Sequence, residues 1–182
     1  MTYHIADEPI ETSLRAYVVR PSTPLFAIML GGAWLSWPWF AFNAIAMGSP
    51  TRRKEIALCL AAFLGTGLLG ALVIALARAG VIGSGAPLRL ALLAIVTFKL
   101  TITYYISMVQ ERTFHVYEYY GGPVRAAGAI LAAGYLLNDL VIGLSDNPLW
   151  IIIVSGGVAG GVSSGIAGGI SGGIAGAGAG GL

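Results

Sequence analysis

The chain has 182 residues, of which 57% are hydrophobic and only 10% are charged, and its net charge is +2. Soluble domains carry about 25% charged residues, so this composition argues against a soluble enzyme and against a disordered protein. The small positive charge also argues against a nucleic-acid-binding protein. We therefore expect an all-α, polytopic integral membrane protein, built as a helical bundle in contact with the lipid bilayer.

The first part of the chain, residues 1–24, is polar enough to lie in water and too short to form a hydrophobic core. We predict that it forms a polar tail or an arm that docks on a partner. Acidic residues stand where the basic part of a signal peptide would be, so we expect no cleavable signal. The abundance of Ala and Gly, with Arg preferred over Lys, indicates a GC-rich bacterial genome. For an integral membrane protein we therefore expect the bacterial inner membrane.

Four or five apolar segments follow, each long enough to cross a bilayer, which requires about 20 helical residues. Short links with Gly and Pro join most of them, as between antiparallel neighbours in a helical bundle. One longer connection, 110–122, is rich in aromatic residues and is expected at the level of the lipid headgroups. The predicted segments are 25–47, 56–77, 88–109 and 124–144, followed by a glycine-rich segment, 149–182.

The first segment, 25–47, has two interpretations. Three Trp residues lie near its middle, although Trp prefers the membrane interface, and Gly31, Gly32 and Pro38 supply breaks. A re-entrant segment, which dips into one leaflet and returns, or an in-plane segment would explain these features. An ordinary spanning helix also tolerates Gly and Pro, so both interpretations stay open. The residues predicted at the interface are Trp34, Trp37 and Trp39, with Arg52, Arg53 and Lys54 ahead of the second segment.

The two interpretations divide the basic residues differently between the sides of the membrane. If all five segments span, four basic residues lie on the side of the N-terminus and five on the other, which decides nothing under the positive-inside rule. If the first segment is re-entrant, seven lie on one side and only Arg78 and Arg89 on the other. The seven are Arg15, Arg20, Arg52, Arg53, Lys54, Arg112 and Arg125.

Lys99 is the residue least suited to a lipid environment, because it stands near the centre of the third segment. A central charge costs about 2.5–3.5 kcal/mol on insertion scales, and such residues are candidates for function. Thr103 and Ser107 follow at helical spacing, and Gln110 continues the series. We therefore predict one polar stripe along this helix.

The fourth segment contains Asn138 and Asp139 near its end. If the third and fourth segments are antiparallel neighbours, Asp139 lies about 9 Å along the helix axis from Lys99. The lysine stem is long enough to cover much of that gap, so we predict a Lys99–Asp139 ion pair. Such a pair either locks two helices together or lines a path for an ion or a solute.

Residues able to carry catalysis are scarce. The chain has two His and few carboxylates, and it contains neither an HExxH sequence nor a phosphate-binding Gly-Lys-Ser/Thr sequence. Glu111, His115 and Glu118 would share one face of a helix and form a weak candidate metal site, although a solvated surface is the simpler interpretation. We therefore predict no enzymatic activity, no cofactor and no metal centre.

The last 27 residues repeat Gly pairs with a branched residue at every fourth position, so that GxxxG overlaps itself several times. This pattern resembles a glycine zipper, a packing motif in which small residues let two helix backbones approach closely. A frayed tail and a pore-forming oligomer are the alternatives. The glycines predicted to pack are Gly156, Gly157, Gly160, Gly161, Gly165, Gly168, Gly169, Gly172, Gly173 and Gly176.

These features favour a non-catalytic integral subunit of a larger membrane assembly, held by small-residue helix packing to other membrane subunits or to further copies of itself. The second hypothesis is a small transporter or channel in which Lys99, Thr103 and Asp139 line the path.

Overall fold

The computed structural model describes residues 12–83 and 85–156, and these residues form six α-helices, a short 3-10 turn and no strand. The expected all-helical fold is therefore confirmed. The turn is Arg15–Tyr17, and the helices are α1 (Ser22–Leu30), α2 (Ala33–Ala46), α3 (Arg52–Arg78), α4 (Ala86–Tyr119), α5 (Gly128–Ile142) and α6 (Pro148–Val154).

Two of the described helices, α3 and α4, are long and apolar enough to cross a membrane. At 1.5 Å per residue they are about 40 and 50 Å long. The contact between α3 and α4 is more extensive than that between any other two described helices. Much of their outer surface is apolar and exposed, including a ridge on α3 that repeats every four residues. The exposed ridge consists of Leu60, Leu64, Leu68 and Leu72.

The other predicted segments do not form helices of spanning length in the part of the chain that the structure describes. Segment 25–47 is divided between α1 and α2, because the chain breaks at Gly31 and Gly32. Segment 124–144 begins its helix only at Gly128, which leaves α5 with 15 residues. The last helix, α6, has 7 residues and ends at Val154, where Ser155 is extended.

The helices α1 and α2 form a hairpin. The chain reverses at Gly32, whose φ of 94° lies in the region that favours glycine. Beyond this tip, Ser36 donates to the Pro24 carbonyl at 2.7 Å. At the open end of the hairpin, Asn43 Oδ1 accepts from the Val19 N–H and Asn43 Nδ2 donates to the Val19 carbonyl, each at 3.0 Å. The two ends of the segment therefore lie side by side, and its tip points into the bundle.

The chain before α1 is part of the bundle rather than a free arm. Val18 is fully buried and packs with Met47, Phe114 and Tyr117. The Val18 carbonyl accepts a hydrogen bond from the Arg125 N–H at 2.8 Å. Apolar side chains of residues 12–24 therefore pack in this chain's own core, and docking of the arm on a partner stays a prediction. Residues 1–11 lie outside the described residues.

Helix α4 continues to Tyr119, through most of the connection that was predicted at 110–122. Its inward face stays buried beyond the apolar segment, at Gln110, Phe114 and Tyr117. These spacings of four and three residues match the helical repeat, so packing extends the helix. The helix ends at Tyr119, and Gly121 just beyond it has a φ of 72°.

The short helix α6 runs along α3 and ends against the tip of the hairpin. Ile152 and Leu149 pack on Gly70 of α3. Beyond the end of α6, the backbone of Gly156 lies against the Ile28 carbonyl, and the Val154 carbonyl lies against Gly32. Two interrupted helical segments thus meet inside the bundle, beside α4.

Candidate functional site

The predicted polar stripe of α4 is present and faces the interior. Lys99, Thr103, Ser107 and Gln110 are at most 6% exposed. Each of them makes a hydrogen bond to another part of the chain. The stripe is therefore the contact surface along which α4 holds the hairpin and α6.

Lys99 binds the end of α6. Its Nζ donates to the carbonyl oxygens of Ile152, Ile153 (3.1 Å) and Ser155 (2.9 Å). The last carbonyls of a helix have no partner within the helix and carry the negative end of its dipole. An ammonium group has three N–H donors, and all three have acceptors here. Lys99 therefore caps a helix terminus inside the protein.

The predicted Lys99–Asp139 ion pair is not formed. Asp139 is exposed on α5, and the Lys99 ammonium is surrounded by carbonyls. The prediction assumed that the third and fourth segments are neighbours, whereas α5 packs mainly on α1 and α6. The adjacent Asn138 is buried, and within the described residues its Oδ1 has no hydrogen-bond partner.

The next position of the stripe, Thr103, accepts a hydrogen bond from the Trp37 indole at 2.9 Å. Trp37 is fully buried and packs edge to face on Phe63, with ring centroids 4.9 Å apart. The polar end of the indole therefore has a partner in the core. The position of Trp37 at the membrane interface stays a prediction. Trp39 is also buried, whereas Trp34 is half-buried.

Ser107 lies on the stripe between Thr103 and Gln110, whose hydrogen bonds are shorter than its own. Its hydroxyl donates to the Pro21 carbonyl over 3.4 Å, a long contact at the entrance to α1. Together with Lys99 and Thr103, it gives α4 contacts to the start of α1, to α2 and to α6. One helix face thus holds three separate pieces of chain.

At its far end the stripe joins a buried network of amides and a carboxylate. The Gln110 amide group donates to the Phe40 carbonyl at 3.0 Å and to Glu55 Oε2 at 2.9 Å. Its oxygen accepts from Asn43 at 2.9 Å. Asn43 in turn holds Val19, as described above. Every side-chain N–H of Gln110 and Asn43 therefore has an acceptor within the chain.

Glu55 is fully buried in the first turn of α3. Besides Gln110, its carboxylate accepts from the Ser49 hydroxyl at 2.6 Å and the Thr51 hydroxyl at 2.7 Å. In the described residues it forms no ion pair, so these three hydrogen bonds offset the free-energy cost of burying the carboxylate. The turn 48–51 thus positions two hydroxyls for one carboxylate.

Glu55 and Asn43 were not predicted from the sequence. Two signals were available: Asn43 is a lone amide in an apolar segment, and Glu55 follows Thr51 by four residues at a helix start. The neighbouring residues Arg52, Arg53 and Lys54 are exposed on the same turn. Their exposure agrees with a solvated edge.

The weak candidate metal site does not assemble. His115 Nε2 lies 3.7 Å from Glu111, but Glu118 is directed toward Arg20 at 3.5 Å. These side chains are on the surface, where they pair with neighbours. In residues 12–83 and 85–156, no three His, Cys, Asp or Glu side chains come together as metal ligands. Of the predicted packing glycines only Gly156 lies within these ranges, and the other nine lie outside them.

Searches of family models, curated proteins and solved structures found no match to this chain. The function of the chain is therefore inferred from the contacts of its own residues. The arrangement described above can hold helices together, since each donor of Lys99, Gln110 and Asn43 is engaged inside the chain.

Proposed function

We propose that the chain is a non-catalytic integral membrane protein that serves as a structural or accessory subunit of a larger membrane assembly. The observation that carries this proposal is that the N–H donors of the polar stripe, and of Asn43 beside it, all have acceptors inside the chain. The ammonium of Lys99 has three carbonyl partners, and the amides of Gln110 and Asn43 use all their N–H groups. In lipid, such internal polar contacts hold helices together.

The engagement of all these donors inside the chain also weighs against the second candidate, a small transporter or channel. A transport path needs polar groups that can release an internal partner to bind an ion or a solute. Lys99 is 2% exposed, and Asp139 stands on a different surface of the bundle. The broken helices α1, α2 and α6 are a feature of many transporters, so this candidate is retained as an outcome of the test.

We further propose that the α1–α2 hairpin is re-entrant in the membrane. Both ends of the hairpin lie with the start of α3 and the end of α4, because Asn43 holds Val19 and Gln110 holds Glu55. Seven basic residues then share this end, and Arg78 and Arg89 share the other. By the positive-inside rule the end with seven faces the cytoplasm, here of a bacterial inner membrane.

Cysteine labelling in intact cells tests this topology. In a Cys59→Ala background, Arg20→Cys and Lys54→Cys are expected to react with a membrane-impermeant maleimide only after the cells are permeabilised. Gly83→Cys is expected to react in intact cells, because it lies in the link between α3 and α4. Labelling of positions 20 and 54 from opposite sides would show that the segment between them spans the membrane and would overturn the proposal.

Contact with other subunits is assigned to the glycine-rich segment that continues from Gly156. The close approach of Gly156 to the Ile28 carbonyl supports this proposal, since it is the kind of backbone contact that small residues allow. The repeated glycines after it offer the same property to a second helix. The partner surface is therefore sought in residues 157–176.

Extraction in mild detergent, followed by mass and subunit analysis, tests the assembly. The tagged chain is expected to purify with stoichiometric membrane subunits, and Gly165→Leu combined with Gly169→Leu is expected to lose them. A matched control is Leu64→Ala with Leu68→Ala, on the exposed ridge of α3, which should keep them. A lone monomer, or a double glycine variant that still retains its partners, would contradict the proposal.

A flux assay addresses the transporter hypothesis directly. Vesicles that contain the purified chain are expected to conduct Na⁺, K⁺, Cl⁻ and protons no faster than empty vesicles. Flux that depends on the chain and disappears in Lys99→Met would replace the structural role with a transport role.

A further inference from the structure

A groove lies between the first turn of α3 and the last third of α4. Its cavity has a volume of about 240 Å³. The polar part of its lining comes from Lys54 and Arg112 together with the hydroxyls of Thr51 and Thr113. The apolar part includes Tyr105 and Met108. The groove thus combines two cations and two hydroxyls with an apolar wall.

The two cations of the groove have no carboxylate partner among the described residues. The nearby acidic groups of α4 are engaged elsewhere, Glu111 with His115 and Glu118 with Arg20. Glu55 is close behind Thr51, but it is fully buried and its oxygens accept from Ser49, Thr51 and Gln110. The groove therefore offers unneutralised positive charge to a ligand with negative charge.

The apolar wall continues from the charged part along α4. Met108 and Tyr105 are each about half exposed, at 50% and 48%. They lie toward the middle of the helix from Arg112, on a helix long and apolar enough to cross a membrane. A ligand that fits this order has an anionic group at the membrane edge and a hydrocarbon chain that extends inward.

We propose that this groove binds an anionic phospholipid. Lys54 and Arg112 bind the headgroup phosphate, Thr113 donates a hydrogen bond to it, and an acyl chain lies along Met108 and Tyr105. The Thr51 hydroxyl lines the groove but donates to Glu55. Charge-assisted hydrogen bonds from Lys and Arg are the strongest contacts a protein makes with phosphate. The inference rests on the proposed membrane location, and it adds a specific lipid site to it.

The test compares lipid retention by the purified chain in detergent, measured by native mass spectrometry. Phosphatidylglycerol is titrated against phosphatidylcholine with the same acyl chains. Phosphatidylglycerol is expected to bind at least tenfold more tightly. Lys54→Gln and Arg112→Gln are each expected to weaken its binding about fivefold, since each variant loses one direct charge-assisted hydrogen bond to the phosphate. The affinity of the double variant for phosphatidylglycerol should fall about 25-fold if the two contributions are independent.

Arg53→Gln is the matched control, because Arg53 is exposed on the same turn but does not line the groove. It should change affinity less than twofold. An equal loss in Arg53→Gln would show diffuse attraction and overturn the site, as would equal binding of the two lipids. Competition by millimolar inorganic phosphate, lost in Lys54→Gln and Arg112→Gln, would indicate a free phosphate site and also overturn the lipid proposal.

Failure of the lipid site and failure of the membrane location give different results. If only the site is wrong, the chain still requires detergent for extraction and binds both lipids alike. If the membrane location is wrong, the chain is released from cells without detergent. Circular dichroism of each variant confirms that the helices are retained, which is expected because the substituted side chains are exposed.

Discussion

Lys99→Met is expected to lower the free energy of unfolding by about 4 kcal/mol, because three backbone carbonyls at the end of α6 lose their donor at once. Methionine fills the volume of the lysine stem but provides no donor. The carbonyls of Ile152, Ile153 and Ser155 then lose the ammonium that satisfies them. Each unpaired buried carbonyl costs about 1–3 kcal/mol, so the end of α6 should detach from α4 first.

Thermal unfolding in detergent, followed by circular dichroism, measures the loss of stability. Limited proteolysis near residue 155 reports whether α6 is released before the other helices. Lys54→Met serves as the control, because Lys54 is exposed and holds no other element. Equal stability of Lys99→Met and the unaltered chain would show that the three carbonyls do not depend on Lys99.

Gly32→Ala is expected to destabilise the chain by a similar amount, about 4 kcal/mol. A non-glycine residue at a φ of 94° costs about 1–3 kcal/mol, and overpacking a close contact adds a comparable amount. A Cβ at this position would overlap the Val154 carbonyl oxygen. Gly156→Ala should act in the same way, because its Cβ would overlap the Ile28 carbonyl oxygen.

The matched control is Gly128→Ala, at the first residue of α5, where a Cβ meets no atom within 4 Å. Alanine favours helix over glycine by about 1 kcal/mol, so this variant should be neutral or slightly stabilising. Midpoints of thermal unfolding for the three variants give the comparison. If Gly32→Ala melts at the same temperature as Gly128→Ala, the tip of the hairpin does not need its close contact with α6.

Helical periodicity predicted the stripe correctly because its members lie on a single helix. The spacing of Lys99, Thr103 and Ser107 alone places them on one face, whatever packs against it. The partner of Lys99 was beyond such reasoning. It is a set of backbone carbonyls at the end of α6, and every residue has a carbonyl, so no side-chain pattern indicates it.

The break in the first segment could be predicted, but the environment of its Trp residues could not. Gly31 and Gly32 indicated an interruption, and the hairpin reverses there. Trp37 was assigned to a membrane interface by its usual preference, whereas its indole bonds to Thr103 on a distant helix. A preference averaged over many proteins cannot predict one specific tertiary partner.

Helix lengths depended on packing that composition does not report. The predicted third segment stopped at residue 109 because hydrophobicity falls there, yet α4 continues to Tyr119. Burial of Phe114 and Tyr117 against Val18 and Met47 extends it. The buried carboxylate of Glu55 was missed for a related reason, since an acidic residue beside three basic ones is typical of a solvated turn.

The meeting of the hairpin tip with the end of α6 also sets an order of events during synthesis. Ile28 and Gly32 leave the ribosome long before Val154 and Gly156, which they contact in the finished protein. Contacts between such distant positions form late, because a long loop must close first. Until α6 emerges, Lys99 has no carbonyls to bind, so a nascent chain that stalls before Pro148 retains an unpaired ammonium among apolar helices. The polar contact between Lys99 and α6 can therefore also distinguish a chain that includes α6 from one interrupted before it.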